Sequence, residues 1–132
     1  MVKLTKHNLT EQLLKHIPEF KKIYEREKEY HDIGIHIVMG DFYRLAEEAI
    51  QNKNDALTKK IADFINKCYE EGDEDVHNAL IVSFFESMET KALAKFYHYL
   101  TKKLAKEVLE HLKGCINSQS FDELHEMIGN KL

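Results

Sequence analysis

Eight histidines, two cysteines and 23 carboxylates are the side chains from which this chain could build a reactive or metal-binding site. A di-metal helical bundle needs Glu-x-x-His on two helices and two further glutamates, all facing inward. Glu74 to His77 has that spacing but falls in the first turn of an expected helix. Asp122 to His125 has the spacing with the shorter carboxylate, and His125-Glu126 is not continued as the HExxH of a zinc protease. His31 with His36, and Glu107 with His111, read as surface residues, the second an i, i+4 helix pair. Ser83 and Cys68 are the candidate nucleophiles, and neither has the strained glycine-flanked turn that exposes a catalytic serine. Cys68 lies on an apolar stripe, as a core residue would. The five glycines are scattered as helix stops rather than gathered into a phosphate-binding loop. The expectation is therefore no enzyme, no cofactor and no metal centre.

Two other constellations suggest binding rather than catalysis. Glu70, Glu71, Asp73, Glu74 and Asp75 form an acidic run. The signs balance over residues 1–66, so the whole formal charge of -4 belongs to the second half. Such a run argues against nucleic acid as a direct partner and suits a basic protein, although a solvated helix junction would look the same. Just after it, Asn78, Val82 and Glu86 fall near one stripe of an otherwise apolar stretch, Gly72 to Met88. Buried, Asn78 and Glu86 would tie neighbouring helices together through hydrogen bonds. Exposed, the stripe would open onto a concave binding face with Tyr43, Tyr97, His98 and Tyr99 on its rim.

The elements that position these residues read as helices throughout. Abundant Leu, Ala, Lys and Glu with a single proline match an all-α protein of one domain, residues 1–132, long enough to bury a core without disulfides. Asn8 or Thr10 caps a first helix with Leu13, Leu14 and Ile17. Pro18 starts a second that runs to about Tyr30. A third spans about 35–52, with Gly40 marking a kink or a close crossing, and a brief strand at 34–38 as the other reading. Asn52 to Asp55 make a turn and cap before an amphipathic helix with Leu57, Ile61, Phe64, Ile65, Cys68 and Tyr69 on one face. Gly72 suits a left-handed helix stop, and Asp73 or Asp75 caps a central helix apolar on all sides, which others must wrap. Thr90 caps a segment that is either one helix of about 90–113, stopped at Gly114, or two meeting near Thr101. Residues 115–132 are a linker and a short terminal helix capped by Ser120 with Glu123. The sum is six to eight antiparallel helices in a short HEAT-like stack, with a closed bundle as the alternative. Neither a signal peptide nor a membrane span is visible, which predicts a cytoplasmic protein whose Cys68 and Cys115 stay thiols.

The succession IPEFKKIYE, HIVMGDFYRLAEEAI and FINKCYEEGDEDVHNALIVSFFESM resembles a family of small helical bacterial proteins, many of which appear as immunity proteins of polymorphic or contact-dependent toxins. The similarity covers roughly residues 10–113, and Gly72, Asp73, Val76, Asn78, Phe85 and Glu86 carry its most specific part. A glycine and proline break common near position 100 in that family is replaced here by YLTKKL. The resemblance implies a non-enzymatic inhibitor that binds a cognate toxin domain, such as a nuclease, by occlusion. The expected partner-binding residues are Glu70, Glu71, Asp73, Glu74, Asp75, Asn78 and Glu86. A helical adaptor binding a protein or peptide is the alternative.

Overall fold

A computed structural model gives the structure of the protein and describes residues 3–26 and 34–128. Among the described residues eight α-helices run in the order α1 (Leu9–His16), α2 (Lys21–Arg26), α3 (Ile35–Gln51), α4 (Asp55–Glu71), α5 (Glu74–Ala79), α6 (Thr90–Phe96), α7 (Lys102–Lys113) and α8 (Ser118–Ile128). Short 3-10 turns at Pro18–Phe20 and Tyr97–Tyr99 and a π-helical segment at Leu80–Phe85 complete the described chain. The all-α expectation holds among the described residues, and the strand reading at 34–38 gives way to the first turn of α3. The expected end of the second helix near Tyr30, His31 and the last four residues lie outside the described residues.

Packing is organised around α3, which touches α1, α2, α4, α5, the π segment and α6. Elements from both sides of it in sequence converge on this one helix. Phe42 on α3 is the meeting point. Its ring lies 5.6 Å from Phe20, 6.0 Å from Phe64 and 5.6 Å from Phe84, and Phe84 continues the contact to Phe96 at 5.7 Å. Edge-to-face and tilted pairs of this kind add about 0.5–1.5 kcal/mol each beyond the area they bury. Phe20, Phe42, Phe84, Phe85 and Phe96 are all fully buried.

Several helix boundaries follow local chemistry. Asn54 and Asp73 cap α4 and α5 as expected, accepting from the backbone N–H groups of Leu57 at 3.2 Å and Val76 at 3.0 Å. The long segment after Thr90 divides at residues 97–101. There Thr101 caps α7, and the Asn66 amide accepts from Thr101 N–H while donating to the Tyr99 carbonyl, both at 3.1 Å. Other expected caps fall elsewhere. Asn117, not Ser120, accepts from the third N–H of α8 at 2.8 Å, because the helix begins two residues before Ser120. Thr90 is already inside α6, whose preceding Glu89 gives its N–H to the Glu47 carboxylate at 2.9 Å. Asn8 precedes α1 but turns its side chain back to Thr5 and Lys3.

Two glycines also differ from expectation. Gly72 is extended (φ -80°, ψ 150°), not left-handed. A methyl group there would sit 2.3 Å from the Cys68 carbonyl and 2.6 Å from Val76 Cγ1, so close approach, not backbone freedom, requires glycine. At Gly40 an added methyl meets nothing within 4 Å, so no close helix crossing depends on it.

Candidate functional site

The acidic run forms the junction between α4 and α5. Glu70, Glu74 and Asp75 are exposed, and Glu71 and Asp73 half-buried. Its backbone is braced by the N-terminal segment. The Glu71 carbonyl accepts from Lys3 N–H and Leu4 N–H at 2.8 and 2.9 Å, and Asp73 N–H donates to the Leu4 carbonyl at 2.9 Å. Leu4 and Gly72 thus pair as an isolated parallel bridge, with the Leu4 side chain fully buried beneath it. Nothing in the sequence pattern around Leu4 signals this clamp. Beside it, His77 stacks on Tyr69 at 5.3 Å and its Nε2 lies 2.7 Å from the Tyr69 carbonyl. The histidine of the Glu74-x-x-His77 spacing therefore serves as a structural tie.

The central segment is not one helix wrapped on all sides. After α5 it widens into the π segment, where Glu86 N–H donates to the Ile81 carbonyl, five residues back, at 3.1 Å. Val76, Ala79, Leu80, Phe84 and Phe85 are buried, while Asn78 and Glu86 are exposed and Val82 is 41% exposed. The Asn78–Val82–Glu86 stripe therefore faces solvent, and the buried-network reading of Asn78 and Glu86 is corrected. Within the π segment Ser83 meets His36 Nδ1 at 2.7 Å and ties the segment to α3.

Of the expected rim residues, Tyr97, His98 and Tyr99 line hollows that do not include the stripe, and Tyr43 is half-buried against the core. Tyr97 is buried and burial pushes its phenol up; with His98 it lines a groove of about 1040 Å³ between α7 and α8, beside Lys102, Lys106 and Phe121. His98 and Tyr99 also border a hollow near Lys53 and Thr58. Neither lining includes Asn78, Val82 or Glu86.

Glu86 instead meets the end of α7. Its Oε2 lies 2.8 Å from His111 Nε2, and Cys115 Sγ lies 3.4 Å from the same nitrogen. Among the described residues these are the one group of three His, Cys, Asp or Glu side chains whose donor atoms all lie close together, within 4.8 Å of one another. The pairing of His111 with Glu107 is thereby corrected. Glu107 acts on Tyr69, whose phenol is pushed up by burial and then by Glu107 and Glu70. A spacing rule within one helix could not see Glu86, 25 residues away. The thiols differ sharply: Cys115 is exposed, whereas Cys68 is buried and burial pushes it far up, so it stays protonated.

No helix among the described residues is long and apolar enough to cross a membrane. No curated protein and no solved structure matches the chain. A family model does match, over residues 10–127, from α1 through the acidic junction and the Glu86–His111–Cys115 group to the last buried turn of α8, so the chain belongs to the family described as Domain of unknown function (DUF7674).

Proposed function

We propose that this chain is a non-enzymatic binding protein that neutralises a basic partner, acting as a cytoplasmic immunity protein that occludes a cognate toxin domain such as a nuclease. The observation that carries the proposal is the acidic α4–α5 junction. It presents Glu70, Glu74 and Asp75 to solvent on a backbone already held by Leu4. Clustered negative charge steers a basic partner and accelerates encounter, and a pre-ordered backbone lowers the entropy lost on docking. The sequence resemblance supplies the toxin as partner class, and the exposure of Asn78 and Glu86 leaves both available to the same partner.

The groove between α7 and α8 favours a second reading, an adaptor taking a peptide along Tyr97, Lys102 and Phe121. Co-expression with the open reading frame encoded beside this one separates the two. The immunity reading expects a stoichiometric complex that survives high-salt washing, and a partner toxic when expressed alone. Reversing Glu70, Glu74 and Asp75 to lysine should slow association at least tenfold at low salt. Unchanged association would move the interface away from the junction, and absence of both complex and toxicity would leave the adaptor reading.

A further inference from the structure

We propose that Glu86, His111 and Cys115 form a binding site for a divalent transition ion of the zinc type, independent of any partner protein. The geometry around one atom carries the argument. In a Cys–His–carboxylate relay the thiol and the carboxylate use opposite nitrogens of the imidazole, so that one proton can be taken while another is held. Here both approach Nε2, at 3.4 and 2.8 Å. A single proton on Nε2 points well at one acceptor only. A cation between the three atoms engages all of them.

The donor set and its spacing fit such an ion. Imidazole nitrogen, thiolate and carboxylate are the three protein ligands of zinc, with bonds of about 2.0–2.3 Å that place tetrahedral ligand atoms about 3.5 Å apart. Two sides of the triangle here, 2.8 and 3.4 Å, lie at or just below that separation, and all three atoms lie within 4.8 Å of one another. Small rotations of exposed side chains supply the rest.

The surrounding backbone favours positive charge at this point. His111 is in the last turn of α7. Cys115 follows one turn later, held by its N–H to the Leu112 carbonyl at 3.0 Å, and Glu86 directly follows the π segment. Two helical segments thus end at one place, and each brings the negative pole of its dipole to it. The widened π turn aims Glu86 at α7, in keeping with the association of such turns with function. Buried Phe85 and Leu112 anchor the two ends, while the His111 and Glu86 side chains, 31% and 33% exposed, and the exposed Cys115 leave a fourth position open to water.

The test is Co2+ titration of the untagged, chelator-stripped full chain under a non-thiol reductant. The expected result is one ion per chain, with a thiolate-to-Co2+ charge-transfer band that Zn2+ abolishes by displacement. Cys115→Ser should remove the band, His111→Gln and Glu86→Gln should weaken binding at least tenfold, and Cys68→Ser should leave the band in place, with circular dichroism confirming that each variant is folded. Absence of the band, a band that survives Cys115→Ser, or affinity unchanged in His111→Gln would overturn the proposal.

Discussion

Gly72 and Gly40 show at the scale of single residues how little a residue type says without its surroundings. Both lie in or beside helices, and both have backbone angles that alanine can adopt. A methyl at Gly72 would press on a helix carbonyl at 2.3 Å and on Val76 at 2.6 Å, whereas one at Gly40 enters open space. Gly72→Ala should therefore cost about 1–3 kcal/mol of stability through overpacking, and Gly40→Ala should add about 0.5–1 kcal/mol by removing glycine's excess freedom in a helix. Urea denaturation of the two variants checks both signs. Equal effects would mean that the packing at Gly72 is looser than the contacts indicate. Glu86 makes the same point for chemistry, since its sequence neighbours say nothing of the imidazole and thiol that it meets.

At the scale of elements, contacts between helices set the ionisation of side chains that look ordinary in the sequence. His16 closes α1 against α4, with its ring 5.7 Å from Phe64 and its Nε2 3.2 Å from Lys67 Nζ. The ammonium can donate only to a neutral imidazole, so Nε2 accepts and the ring proton belongs on Nδ1. Burial, and then the charge of Lys67, holds His16 below its ordinary value of 6.5. A lowered histidine pKa means that, as pH falls through 6.5, the unfolded chain takes up a proton before the folded one. This contact is therefore at full strength above that value and weakens below it. His16→Gln should flatten the fall in melting temperature between about pH 6.5 and 5 relative to the parent protein. An unchanged slope would assign that pH dependence to other groups. Between the 3-10 turn at Pro18–Phe20 and α4, Lys60 holds Glu19 below the usual carboxylate range through a hydrogen bond at 2.8 Å, so that pair weakens only at lower pH, as Glu19 protonates.

At the scale of the molecule, the terminal helix belongs to the core rather than trailing from it. Leu124 and Ile128 are buried, and α8 packs on α6 as well as on α7, its neighbour in sequence. Leu124→Ala should lower stability by about 2–5 kcal/mol, the usual range for a fully buried leucine. Circular dichroism and tyrosine fluorescence should still report one coincident transition. Two separated transitions would show that α8 melts as its own unit.

The amphipathic spacing of Leu57, Ile61, Phe64, Ile65 and Cys68 marks α4 in the sequence, and the caps at Asn54, Asp73 and Thr101 mark the starts of α4, α5 and α7. In each case the cause lies within a few residues along the chain: a side-chain oxygen reaches an N–H three positions on, or apolar residues repeat at the helical period. The acidic run is legible for the same reason, because its charges adjoin. The π widening at Leu80–Phe85, the Leu4–Gly72 bridge, the Asn66 clamp on Thr101 and the meeting of Glu86 with His111 and Cys115 are not legible. Each depends on atoms brought together from distant positions, and local periodicity carries no information about which helix ends will meet. The all-α class and the starts of α4, α5 and α7 were set by local backbone chemistry. Which side chains share a site was decided by how the helices pack around Phe42, because only burial of the common core holds those distant ends in register.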